Sequence, residues 1–156
     1  MTDTLYRALV VDDDPAVRKA TIRAFVEERF SCDAAANGTE AKQLLAANRY
    51  DVVVTDLQMP NGHGHALAME LLAIEDRPAI AVLTGMLDPR LAKDLVGRGV
   101  EFVEFKPVRY DLLIAKIKAL VGRRHGAQTD YAAPLISWKL DLQRSPHAPS
   151  AAGEGT

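Results

Sequence analysis

Residues Leu9–Arg18 read LVVDDDPAVR. Three apolar residues run straight into three aspartates, Asp12, Asp13 and Asp14. Neighbouring carboxylates repel one another, most strongly where low-dielectric protein lies alongside. A buried strand ending in such a cluster therefore needs something to offset the repulsion. Asp14 and Pro15 supply part of the answer, since aspartate followed by proline is an N-cap and a first-turn residue of a helix. Behind them Val17, Ala20, Thr21, Ala24 and Phe25 share one helical face, with Arg18, Lys19, Arg23 and Glu27 elsewhere. Asp12 and Asp13 are left unexplained by capping.

The same strand-then-helix pattern recurs along the chain. Strands are expected at Tyr6–Val11, Ser31–Ala36, Asp51–Thr55, Ala79–Leu83 and Val100–Phe105. Three of them, containing ALVV, DVVVT and AIAVLT, are almost wholly apolar, as strands are when both faces are covered. Ala41, Leu44 and Leu45 mark a second helix, and GHALAMELLAIE (64–75) contains a third. A fourth opens at Asp88–Pro89 and ends near Gly97–Gly99, and Leu113, Ile117, Leu120 and Val121 stripe a fifth. Alternating strands and helices imply right-handed crossovers and a parallel sheet covered on both faces. The expected fold is α/β, a doubly wound five-stranded parallel sheet in the flavodoxin-like order 2-1-3-4-5 with five helices.

A chain of 156 residues has room for one domain and an appendage. The net charge of −2 argues against binding nucleic acid through overall charge. The single cysteine, Cys32, excludes an internal disulfide and reads as a small core or half-buried strand residue. No apolar run approaches the roughly 18 residues of a membrane span. MTDTLYR at the start lacks the pattern of a secretory signal, so the expected location is cytoplasmic. The expected organisation is one domain over residues 1–124 and a C-terminal tail over 125–156, mostly flexible. Within the tail Ile136, Trp138, Leu140 and Leu142 alternate with polar residues, which marks 135–142 as a docking segment.

Chemistry gathers at the carboxyl ends of the strands, where ligands of open α/β sheets bind. The first strand delivers Asp12 and Asp13, the third Asp56, the fourth Thr84 and the fifth Lys106. Carboxylate oxygens are the ligands that Mg²⁺ prefers, and the cation offsets repulsion among Asp12, Asp13 and Asp56. A carboxylate beside Mg²⁺ is also a nucleophile able to form an aspartyl-phosphate, with Lys106 neutralising charge and Thr84 hydrogen-bonding a phosphoryl oxygen. Acidic capping of the first helix accounts for one or two aspartates but not for the echo at Asp56. His63 and His65 in NGHGH lack further ligands and read as solvent-facing residues of a loop or helix start.

The stretches ALVVDDDP, DVVVTDLQMP, VLTG and EFKPV, in that order, resemble the motifs of the receiver domain of two-component response regulators. The resemblance covers about residues 5 to 122. It implies that Asp56 accepts phosphate from a sensor histidine kinase or phosphotransfer protein, and that Asp12, Asp13, Asp56 and the backbone carbonyl of Gln58 hold Mg²⁺. It also implies that Lys106 contacts the phosphoryl group through a cis Lys106–Pro107 segment. Thr84 would reorient and alter the surface of the fourth helix, fifth strand and fifth helix. Val103 stands where the family often has the aromatic partner of that threonine, and alternation sends Phe102 to the opposite face.

Other functions fit less well. Hydrolases with an aspartyl nucleophile usually carry a second aspartate two residues on, where this chain has Gln58. A degenerate receiver, binding partners without phosphorylation, is the alternative. The tail shows no basic recognition helix, so the expected output is a protein effector in trans, with no nucleic acid and no membrane as partner.

Overall fold

A computed structural model describes residues 6–59, 63–86 and 88–127. Five strands alternate with five helices. They are β1 (Tyr6–Val11), α1 (Pro15–Glu27), β2 (Phe30–Ala35), α2 (Gly38–Ala47), β3 (Val52–Asp56), α3 (His63–Leu72), β4 (Ala79–Thr84), α4 (Pro89–Gly97), β5 (Phe102–Phe105) and α5 (Tyr110–Ala127). The sheet is wholly parallel in the order β2-β1-β3-β4-β5, as the alternation predicts.

Side chains alternate across the central strands and feed two apolar layers. Leu9, Val11, Val53, Ile80 and Val82 pack with Leu45 of α2, Leu67 and Leu71 of α3, and Leu95 of α4. Ala8, Val10, Val52, Val54, Ala81 and Leu83 pack on the other face with Phe25 of α1 and Leu113, Ile117 and Val121 of α5. The Phe25 and Phe30 rings meet edge to face, with centroids 4.8 Å apart. On α1 the buried residues are Thr21 and Phe25, while Ala20, expected on that face, is exposed. Leu120, at the edge of the α5 stripe, is only partly buried. Cys32 is half-buried, and burial followed by the charge of Asp33 pushes its thiol up to about 12.

Four strands depart from the expected bounds: β3 by a single residue at each end, β4 by a single residue at its C-terminal end, and β2 and β5 for reasons visible in their hydrogen bonds. β2 begins at Phe30 and stops at Ala35, because the next residues are committed to capping α2. The Asn37 side chain accepts the Glu40 N–H at 2.9 Å, and the Glu40 carboxylate accepts the Ala36 N–H at 2.8 Å. β5 begins at Phe102, two residues late, because Val100 N–H closes the end of α4 on Leu95 O at 3.1 Å. Gly99, at φ 120°, makes that closure, a conformation that side chains resist. α5 runs to Ala127, past the boundary expected at 124, and the 135–142 segment lies outside the described residues.

The caps read from sequence are present. Asp14 accepts the N–H groups of Ala16 (2.9 Å) and Val17 (3.4 Å), and Asp88 accepts that of Arg90 (3.0 Å). Asp14→Ala is expected to cost about 1 kcal/mol in chemical denaturation, with Asp14→Ser restoring most of it. Equal stability of Asp14→Ala and wild type would remove the capping role.

Candidate functional site

Each of the five residues picked out at strand ends stands at the carboxyl edge of the sheet. β1 and β3 are adjacent, and their tips bring Asp12, Asp13 and Asp56 together. One carboxylate oxygen from each lies within 4.8 Å of the other two. Asp12 and Asp56 are buried, at 3% and 5% exposure, whereas Asp13 is open to solvent. Among the described residues this is the one group of three or more acidic, histidine or cysteine side chains close enough to share a cation. His65 is exposed in the first turn of α3, and His63 opens that helix.

Lys106, just after β5, reaches across this cluster. Its Nζ lies 3.1 Å from Asp12 Oδ2 and 3.3 Å from Asp56 Oδ2. Its own N–H donates to Thr84 O at 2.8 Å, which ties the lysine to the tip of β4. The Lys106–Pro107 bond is cis. The remaining carboxylate oxygens are held by main chain: Asp12 Oδ1 accepts the Asp14 N–H at 2.9 Å, and Asp56 Oδ1 accepts the Gln58 N–H at 3.1 Å. Thr84 is 2% exposed, and its Oγ1 accepts the Met86 N–H at 3.0 Å. That hydroxyl thus couples the β4 tip to the segment leading into α4.

Two contributors escape a reading by residue type. Gly64 lies in the first turn of α3, where a Cβ would come within 1.9 Å of Asp56 O and 2.8 Å of Leu57 O. Only glycine lets the helix press on the strand end that carries Asp56. A glycine inside a helix start was the available signal. Arg18 of α1 donates from Nη1 to Asp12 O at 2.7 Å, a contact visible only once the helix is placed.

The electrostatics follow from burial. Desolvation raises the Asp56 carboxyl above its ordinary 3.8; Gln58 N–H and Lys106 oppose this, and the Asp12 charge adds to it. For Lys106, burial acts to lower the ammonium, but hydrogen bonds and charge from Asp12 and Asp56 outweigh it and raise the group above 10.5. Two buried acids and one ammonium leave an excess of negative charge, with exposed Asp13 adding to it. Hard oxygen donors at this spacing fit a divalent cation such as Mg²⁺.

A family model for the response regulator receiver domain matches residues 8–118. The chain belongs to that family. Response regulator MprA of Mycobacterium sp. (strain KMS) is 34% identical over 147 residues, covering 90% of this chain and 60% of that protein. Regulatory protein VanRB of Enterococcus faecalis (strain ATCC 700802 / V583) is 32% identical over 122 residues, covering 78% of this chain and 54% of that one. The receiver thus spans about 60% or less of the length of these curated relatives. The solved receiver domain of Francisella response regulator 1452 is 26% identical, with a TM-score of 0.71 over 77% of this chain and 99% of that one. A CheY-like receiver from Methanospirillum hungatei JF-1 shares the fold at 22% identity and a TM-score of 0.73, covering 80% of this chain and 99% of its own. Receiver domains are signalling modules of two-component systems, not enzymes of the usual kind, and they bind Mg²⁺ at an acidic pocket. They interact with histidine kinases or phosphotransfer proteins. Among the described residues no helix is long and apolar enough to cross a membrane.

The raised Asp56 pKa has a testable sign. The folded state holds that proton more tightly than the unfolded state, so this group's favourable contribution is complete below 3.8 and is lost as pH rises through the folded value. At neutral pH without divalent cation, Asp56→Asn is expected to melt several degrees above wild type, and the gap should close as pH falls below 3.8. A mutant less stable than wild type at pH near 7, or a gap independent of pH, would contradict the desolvation account.

Proposed function

We propose that this receiver takes a phosphoryl group from the phosphohistidine of a sensor kinase or phosphotransfer protein onto Asp56. The observation that carries the proposal is the Lys106 ammonium seated between Asp12 and Asp56, at 3.1 and 3.3 Å, beside a three-carboxylate cluster. In the transfer an Asp56 carboxylate oxygen forms the new bond to phosphorus, and the bond from phosphorus to the donor imidazole nitrogen breaks. The electron pair stays on that nitrogen, which takes up a proton from solvent. Asp12, Asp13, Asp56 and the Gln58 carbonyl would hold Mg²⁺, which supplies charge neutralisation for the transferring group. Lys106 neutralises a phosphoryl oxygen once its contact with Asp56 gives way to the new group.

Thr84 reads the result. Its hydroxyl accepts from Met86 N–H, and a phosphoryl oxygen on Asp56 offers it a stronger, charged acceptor. Turning toward that oxygen withdraws the acceptor from Met86 and frees the segment entering α4. Val103 supplies no ring beside Thr84, packing instead with the α2–α4 layer, while Phe105 is the register partner of Thr84 on β5. The altered surface would be read by a protein partner in the cytoplasm.

Incubation with acetyl phosphate and Mg²⁺ followed by intact mass is expected to show one added phosphoryl group on wild type and none on Asp56→Asn. Lys106→Met is expected to slow labelling roughly a hundredfold. An unlabelled wild type would favour a receiver that acts without phosphorylation, and a labelled Asp56→Asn would move the acceptor elsewhere. Thr84→Ala is expected to accept phosphate yet show little change in amide shifts over residues 85–96 when beryllofluoride, an acyl-phosphate mimic, is added. Wild-type shifts unaltered in that segment would remove the switch.

A further inference from the structure

The three carboxylates are not held alike. Asp12 is fixed at every polar atom: N–H to Ala35 O (3.1 Å), Oδ1 from Asp14 N–H (2.9 Å), Oδ2 from Lys106 (3.1 Å) and O from Arg18 Nη1 (2.7 Å). Asp56 is fixed at both oxygens by Gln58 N–H and Lys106. The exposed Asp13 side chain has no hydrogen bond or ion pair to any described residue. Its placement therefore depends on the two peptide units that flank it. One is pinned by the Asp14 N–H on Asp12 Oδ1, and the other by Arg18 on the Asp12 carbonyl.

Arg18 brackets this loop from both sides. Its main-chain N–H donates to Asp14 O at 2.9 Å while its guanidinium donates to Asp12 O, so the side chain spans Asp13 from the first turn of α1. We propose that Arg18 is a positioning residue of the cation site: it fixes the Asp12–Asp13 peptide and so aims the one carboxylate of the three that no described residue holds. The proposal rests on the Mg²⁺ reading of the cluster. Partners that orient metal ligands from behind, without touching the metal, are a general feature of such sites. Charge alone predicts the opposite effect, because a guanidinium near a cation site opposes binding and its removal should tighten it. The sign of the effect separates the two.

Calorimetric titration of the full chain with MgCl2 reads it directly. Arg18→Met keeps the apolar stem and is expected to weaken Mg²⁺ binding roughly tenfold. Arg18→Lys, which can still donate to the Asp12 carbonyl, should recover most of the loss. Val121→Ala, a cavity in the distant α1–α5 layer, controls for general loosening and should lower the metal-free melting temperature without altering Mg²⁺ affinity. Unchanged or tighter binding by Arg18→Met would overturn the proposal, as would equal losses in the methionine and lysine variants or a matching loss in Val121→Ala. A wild type that binds no Mg²⁺ would overturn the metal reading itself, and this proposal with it.

Discussion

Repulsion among Asp12, Asp13 and Asp56 at the carboxyl edge of the sheet is the constraint on which the rest of the site depends. Two of these groups are nearly dry, so their charges are screened little by water. Lys106 offsets part of the excess by lying between them. Main-chain N–H groups offset more, each placed by the turn that follows its strand. What remains is a local surplus of negative charge at a fixed point, which suits the cluster to a cation. In the proposed function a divalent cation meets that surplus and lets Asp56 react with an anionic phosphodonor.

The sheet supplies the convergence. Adjacent parallel strands β1 and β3 end side by side, and β4 and β5 follow in order, so their tips face one crevice. Two apolar layers hold the strands rigid from both faces, which fixes the tips relative to one another. Helix starts do the finer work. Asp14 begins α1 immediately behind Asp13, and α3 approaches so closely that Gly64 has no room for a side chain beside Asp56. Thr84 and Lys106 are joined through main chain, so the two residues proposed to sense and to neutralise the phosphoryl group share one hydrogen bond.

Much of this was legible in the residues because the signals were local. Continuous apolar runs marked strands buried on both faces, and Asp–Pro pairs marked α1 and α4. The five site residues stood out as polar groups at apolar strand ends. Where the strand bounds were misread, hydrogen bonds to the neighbouring helix ends had decided the outcome. β5 starts late because Val100 N–H belongs to the end of α4, and β2 stops early because Ala36 N–H belongs to Glu40. Ala20 looked inward on a helical wheel but is exposed, since alanine is too short to reveal which side of the stripe it takes. Arg18 reads in the sequence simply as lying off the apolar face of the first helix, and only the placed helix shows its guanidinium on the Asp12 carbonyl.

The central claim, that the acidic cluster is a surplus of negative charge completed by a divalent cation, is tested most directly by thermal unfolding of the wild-type chain at neutral pH across a MgCl2 series. Binding to the folded state alone requires the melting temperature to climb steadily with the logarithm of Mg²⁺ concentration once the site begins to fill. The account requires that climb in the millimolar range, and requires it to vanish in Asp13→Asn, which keeps the buried pair but loses the open ligand. A wild-type melting temperature indifferent to Mg²⁺, or one raised equally in Asp13→Asn, would contradict it.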